Sequence, residues 1–262
     1  MIVMIIISMI SFLASYSSIQ TPNDEEMKKT EIYVFVAASL KNCMEEVAKI
    51  FQEENPEIKV IYNSDSSGTL QVQIEEGAEC DLFFSASKNQ MTALEEKGFV
   101  KKDSVKELLE NKVVLIKAKG TTSQVTSFDN ITRAKNIALA GEDVPVGAYA
   151  REIFVNLGIS DDVMKVQRNE CANVTAVLTA ISERSNEVGI VYATDVLSVA
   201  DLVEVIAVAP KEAMNSRVVY PVGLVVNEEA SNEQDHAARK FIEFLGSKTA
   251  KDIFEGYGFI VP

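Results

Sequence analysis

Two short segments, Ala37-Ala38-Ser39-Leu40 and Ser66-Ser67-Gly68-Thr69-Leu70, place serines where a β-branched run gives way to an amphipathic helical pattern. A helix start carries N–H groups with no intrahelical partner and the positive end of the helix dipole, so it attracts anions. A serine there adds a hydroxyl that can turn toward a bound oxygen. Two such junctions suit the capture of an oxyanion, provided the fold aims both at one place. Taken singly, each reads as ordinary capping: Ser39, Ser67 and Asn173 are good N-cap residues, and Pro145 and Gly147 punctuate the turn before another helix.

Catalytic constellations are harder to assemble. The single histidine, His236, lies in a polar helical stretch far from both serine segments, and no G-x-S-x-G elbow surrounds either serine. The carboxylate pairs Glu45-Glu46, Glu75-Glu76 and Asp161-Asp162 fall at surface-type positions and read as solvated faces. No catalytic residue is assigned, and no set of side chains has the spacing of a metal-cation site. Cys43, Cys80 and Cys171 read as small buried hydrophobes, with a Cys43–Cys80 disulfide as the alternative in an exported chain. The net charge of −14 excludes the basic surface that nucleic-acid binding needs. It also repels anions at long range, so any anion site must act through short-range dipoles and hydrogen bonds.

These junctions must be held by alternating elements. Apolar or period-2 runs predict strands at 31–37, 58–62, 81–85, 112–118, 136–140, 188–192 and 218–226, with helices at 40–54, 69–76, 88–97, 148–157, 174–185 and 233–245. Such alternation predicts an α/β fold of mainly parallel sheets flanked by helices, with ligands at the carboxyl ends of strands. At 262 residues the chain can form one large domain or two lobes. The apolar run at residues 2–15, followed by small residues and the acidic stretch Thr21 to Glu26, reads as an export signal lacking a basic start. No cysteine ends that run to accept a lipid.

The junctions taken in order carry a resemblance. Val34-Phe35-Val36-Ala37-Ala38-Ser39-Leu40, Asn63-Ser64-Asp65-Ser66-Ser67-Gly68-Thr69-Leu70, Gln73-Ile74-Glu75-Glu76-Gly77-Ala78 and Asp81-Leu82-Phe83-Phe84-Ser85-Ala86 resemble the molybdate-binding proteins of ABC transporters, a branch of the type II solute-binding proteins. The later segments agree in the same order: Val144-Pro145-Val146-Gly147-Ala148-Tyr149-Ala150, Gly189-Ile190-Val191-Tyr192-Ala193-Thr194-Asp195, Tyr220-Pro221-Val222 and Ile253-Phe254-Glu255-Gly256-Tyr257-Gly258-Phe259. Together they cover about residues 31–262.

The resemblance implies a two-lobed periplasmic-binding-protein fold with two inter-lobe crossings, near Asn111-Lys112 and Arg217-Val218. Residues 1–30 would be signal peptide and polar linker, 31–111 plus 218–262 lobe 1, and 112–217 lobe 2. It implies hydroxyl and N–H donors from Ser39 and Ser67, N–H donors from Val146 and Val174, and a phenol donor from Tyr192, around molybdate or tungstate. It further implies an exported, monomeric, non-enzymatic protein at the periplasmic or extracellular face, without a cofactor, that delivers its ligand to an ABC transporter permease. A binding protein for sulfate, phosphate or another small anion is the alternative, and a hydrolase a more distant one.

Three positions depart from the family pattern: Asp65 where a small uncharged residue is usual, Ala140-Gly141-Glu142 before Val144, and Val146 in place of a smaller alanine. Asp65 reads as an Asx-type turn with its side chain in water. Arg151 and Arg168 read as solvated surface, and Asn173-Val174-Thr175, although a glycosylation sequon, as a helix cap.

Overall fold

The computed structural model describes residues 29–262. The export-signal segment lies outside the described residues. The described strands are β1 (Thr30–Ala37), β2 (Ile58–Asp65), β3 (Leu82–Phe84), β4 (Lys106–Asn111), β5 (Val113–Ala118), β6 (Asn136–Ala140), β7 (Gln167–Cys171), β8 (Val188–Tyr192), β9 (Val203–Val208) and β10 (Val218–Leu224). The described α-helices are α1 (Lys41–Glu54), α2 (Ser67–Glu75), α3 (Lys88–Glu96), α4 (Pro145–Asn156), α5 (Ser160–Val163), α6 (Val174–Ser182), α7 (Ala193–Leu197), α8 (Asn232–Leu245) and α9 (Lys248–Gly256).

The strands form two sheets of one design, ordered β2-β1-β3-β10-β4 and β7-β6-β8-β5-β9. In the first, β1 pairs parallel with β2 and β3, whereas β10 runs antiparallel to β3 and β4. In the second, β6 pairs parallel with β7 and β8, whereas β5 runs antiparallel to β8 and β9. Each sheet is therefore mainly parallel, with one reversed strand beside the edge. The backbone leaves the first sheet at Asn111, enters the second at Val113, and returns at Val218, which pairs with Asn111.

Burial on both sheet faces explains the apolar runs. Ile32, Val34 and Val36 of β1 face the larger core under α1 and α8, while Phe35 between them faces the smaller one with Leu70, Phe83 and Leu94. Met44, Val47 and Phe51 recur at helical spacing on the buried side of α1. The Phe51 ring packs at 4.8 Å from Phe241 and 5.3 Å from Phe244 of α8. The three cysteines are free and buried. Burial raises the Cys80 thiol well above its usual range, and Cys43 Sγ donates to the Leu40 carbonyl at 3.1 Å, so both sit as inert core groups.

The strands β4, β7 and β9 and the helices α5, α7 and α9 lie outside the sequence-based assignment. All three strands are sheet edges. Among the described residues no helix is long and apolar enough to cross a membrane.

Candidate functional site

Each of the five residues assigned from sequence stands where a strand gives way to a helical element. Ser39 sits in a 3-10 turn, Ala38–Leu40, directly after β1. Ser67 opens α2 after β2, Val146 is the second residue of α4 beyond β6, Val174 opens α6 beyond β7, and Tyr192 ends β8 before α7. All five strands run in the mutually parallel part of their sheets. The junctions therefore gather at the carboxyl ends of the parallel strands of each sheet.

Capping is divided differently from the sequence-based expectation. Ser66, not Ser67, caps α2, its Oγ accepting from Thr69 N–H at 3.1 Å. Ser39 makes no capping bond, because the chain first turns through the 3-10 segment. Asn173 does cap α6, its Oδ1 accepting from Ala176 N–H at 3.0 Å. The serines expected to cap are thus free for other partners. Ser67 Oγ accepts from Ala86 N–H at 2.9 Å, which leaves its own proton to donate. Ser39 Oγ lies 3.0 Å from the Tyr220 hydroxyl.

The junctions of the two sheets touch. A Cβ at Gly68 would stand 2.2 Å from the Asp143 carbonyl oxygen, so α2 meets the loop leading into α4 at a distance only glycine permits. Asp65, read as a solvated turn, instead bridges the sheets: its Oδ1 accepts from Ser66 N–H at 2.7 Å and from Asn173 Nδ2 at 3.3 Å. Ala38 and Lys41 share a groove with Asn173, Thr175 and Ala176 at the start of α6. The Tyr192 ring packs edge-on at 5.7 Å against Tyr220, which carries the contact back to Ser39. Ser67, Val146, Val174 and Tyr192 are all buried at these contacts.

The donors are uncharged. The first bond within α4 runs from Ala148 N–H to the Val144 carbonyl, and Pro145 has no N–H, so the Val146 and Gly147 N–H groups precede the helical ladder. In α6 the Val174 and Thr175 N–H groups precede the bonds that Asn173 receives from Ala176 and Val177. The Tyr192 hydroxyl is buried and has no hydrogen-bond partner among the described residues. Burial raises its phenol well above the usual range, so it remains a proton-bearing donor.

Neither arginine is free surface. Arg151 Nη1 donates to the Ala140 carbonyl at 2.8 Å and the Gly147 carbonyl at 3.0 Å, fixing the entrance of α4 against the end of β6. Arg168 donates to the Val163 carbonyl at 3.0 Å. Gly147 is required at that entrance, since a Cβ there would meet the Gly141 carbonyl oxygen at 2.0 Å. His236 is exposed on α8, and no cluster of metal-ligating side chains occurs among the described residues. Tyr220 and Gly68 appear in the motifs read from sequence, and Asn111 marks a crossing, but their spacing shows neither the hydroxyl contact nor the close approach.

Asp195 sets the junction that carries Tyr192. Its Oδ2 accepts from Tyr192 N–H at 3.0 Å, and desolvation raises its carboxyl to about 7. The folded state therefore holds this proton where the unfolded chain releases it, so this group's contribution to stability falls as pH rises from about 4 to about 7. We expect Asp195→Asn, which keeps an acceptor for Tyr192, to gain stability relative to the parent by several kcal/mol between pH 4 and pH 7.5. Parallel denaturant titrations check this, and a pH-independent difference between the two proteins would contradict it.

Comparison with known proteins follows the geometry. The family described as bacterial extracellular solute-binding protein matches residues 32–260. The molybdate-binding protein ModA of Haemophilus influenzae is 34% identical over 235 residues, covering 87% of this chain and 89% of its own. Among solved structures, the periplasmic molybdate-binding protein of Azotobacter vinelandii shares the fold with a TM-score of 0.74 at 20% identity, covering 88% of this chain and 99% of its own. The sulfate-binding protein SubI of Mycobacterium tuberculosis also has a TM-score of 0.74, at 16% identity, covering 88% of this chain and 87% of its own. The two sheets have the two-lobed periplasmic-binding-protein fold, and the chain belongs to the bacterial extracellular solute-binding proteins.

Proposed function

We propose that this chain is the extracytoplasmic binding component of an ABC transporter, capturing molybdate or tungstate between its lobes and delivering the closed form to a membrane permease. The observation that carries the reading is the Tyr192 hydroxyl, a buried donor without a partner among the described residues, beside helix starts whose first N–H groups precede the helical bonds. A buried polar group in that state costs about 1–3 kcal/mol, which a ligand accepting its proton would remove.

Ser39, Ser67, Val146, Val174 and Tyr192 supply donors only. A fully deprotonated tetrahedral dianion has oxygens that only accept, so the match needs no lysine or arginine. Charge-assisted bonds of about 1.5–3 kcal/mol each, made by five or more donors, reach the roughly 8 kcal/mol of a micromolar complex after the cost of closure. Because the donors come from both lobes, the ligand stabilises the closed form, and this differential affinity drives closure. The 34% identity to the molybdate-binding protein ModA of Haemophilus influenzae supports molybdate over other anions.

Sulfate or phosphate is the second reading, favoured by the fold shared with a sulfate-binding protein. Hydrogen phosphate needs an acceptor for its proton. Asp65, an acidic departure from the family pattern beside Ser66 and Ser67, has its Oδ1 engaged by Ser66 and Asn173. Sulfate is smaller than molybdate, so a rigid cleft that closes on molybdate would leave its donors stretched around sulfate.

Thermal unfolding against an oxyanion panel decides among them. Molybdate or tungstate at 1,000 times the dissociation constant should add about 4 kcal/mol, a rise of roughly 10 °C. A rise with sulfate or phosphate and none with molybdate would sink the assignment. Ser39→Ala and Ser67→Ala should each weaken binding about tenfold by calorimetry. Tyr192→Phe should weaken it similarly while leaving the ligand-free protein no less stable, since it deletes an unpaired hydroxyl. Gly68→Ala should leave ligand-free stability nearly unchanged, because the open form relieves the contact with Asp143, yet lower affinity by at least tenfold. Unchanged affinity in that variant would show that closure does not bring α2 against Asp143.

A further inference from the structure

The hydroxyl of Ser39 stands at the end of a chain of hydrogen bonds whose direction is fixed from the other end. Asn111, the last residue of β4, accepts from Lys112 N–H through its Oδ1 at 2.8 Å. Its Nδ2 therefore faces the other way, 2.8 Å from Thr194 Oγ1 and 3.1 Å from the Tyr220 hydroxyl. The opposite amide orientation would set a donor against the Lys112 N–H. An amide nitrogen only donates, so the Tyr220 oxygen is an acceptor toward Asn111.

Tyr220 is fully buried, and a buried hydroxyl that already accepts sends its own proton to an acceptor. Of the two hydroxyls beside it, those of Tyr192 and Ser39, only Ser39 Oγ, at 3.0 Å, meets hydrogen-bond geometry. With that proton received, the remaining proton of Ser39 is free to leave the chain. We propose that Asn111 is a positioning residue that, through Tyr220, fixes Ser39 as a donor toward the ligand, so that the site selects a fully deprotonated oxyanion over one that carries a proton. The proposal rests on the oxyanion reading above.

The sequence of bonds Asn111 to Tyr220 to Ser39 joins β4, β10 and the turn after β1. The second proton of Asn111 reaches Thr194 in α7, on the other lobe. The amide that directs Ser39 is thus seated at the point where the backbone crosses between the sheets. Its orientation is set by backbone, not by the ligand, and is in place before binding.

Reversing the polarity tests this. In Asn111→Asp a carboxylate replaces the amide and can only accept, so Tyr220 turns its proton to it, Ser39 turns its proton to Tyr220, and a lone pair faces the ligand. Molybdate affinity is measured by calorimetry for the parent, Asn111→Asp, Ser39→Ala and the double variant. The expected result is a loss of about a hundredfold for Asn111→Asp when Ser39 is present and under fivefold when it is alanine. A new charge acting through space would weaken both backgrounds alike, so additive losses overturn the proposal. The same cycle with Tyr220→Phe, which keeps the ring, covers the case in which Asn111→Asp does not fold: its loss should also vanish in the Ser39→Ala background, and additivity there again overturns it. A parent protein that binds sulfate but not molybdate refutes the ligand assignment while leaving the cycle readable with sulfate. A parent that binds no oxyanion overturns both readings.

Discussion

An α-helix cannot satisfy its own first N–H groups, and this shortfall is the constraint around which the protein is arranged. Parallel strands all end at the same side of a sheet, so the helices that follow them begin there too. With one such sheet, unpaired donors face water and bind nothing selectively. With two sheets of the same strand order, junctions from one meet junctions from the other, Gly68 against Asp143 and Asp65 against Asn173, and the proposed site uses the unpaired donors brought together there. Gly68, Gly147 and Arg151 serve this geometry: the glycines let backbone approach backbone, and the guanidinium holds the entrance of α4 in place.

The charge balance is consistent with that arrangement. A chain with a net charge of −14 gains nothing from long-range attraction of an anion; Lys59 and Lys97 are engaged in surface pairs, and Arg151 and Arg168 donate to backbone carbonyls. Neutral donors discriminate by geometry and by the direction of each proton. In the proposed site that places weight on groups that orient hydroxyls, Ala86 N–H behind Ser67 and Tyr220 behind Ser39.

Much of this was legible in the sequence, for a physical reason: strands buried on both faces leave continuous apolar runs, as in Val188 to Tyr192, and helices following them carry the 3.6-residue pattern of Met44, Val47 and Phe51. Three of the four edge strands, β4, β7 and β9, were not legible, whereas the fourth, β2, is assigned at 58–62. β4 reads Lys-Glu-Leu-Leu-Glu-Asn and β7 Gln-Arg-Asn-Glu-Cys, because an edge needs charge to discourage further pairing and loses its alternation in doing so. Within the site, residue types located the junctions, but not which serine caps. Ser66 and Ser67 are chemically alike, and a one-residue difference in where α2 starts decides which hydroxyl is spent on the helix. Asp65 was misread for a related reason. Its partner Asn173 is 108 residues away, and no local pattern announces a contact made only when two sheets meet.

The strand order has a consequence for how the molecule is made. The second sheet is built wholly from residues 113–208, a continuous stretch that can assemble as soon as it is available. The first sheet is interrupted: β4 pairs with β10, and β10 lies more than 100 residues later, so β3 keeps a bare edge until residues 218–224 arrive. Such distant pairing is slow because the loop must close before any contact rewards it. The late strand also brings Tyr220, so the first lobe gains its last strand and the group behind Ser39 in a single step. A chain not yet extended through β10 would thus expose an unpaired sheet edge and lack the Tyr220 hydroxyl, coupling maturation of the proposed cleft to the arrival of residues 218–224.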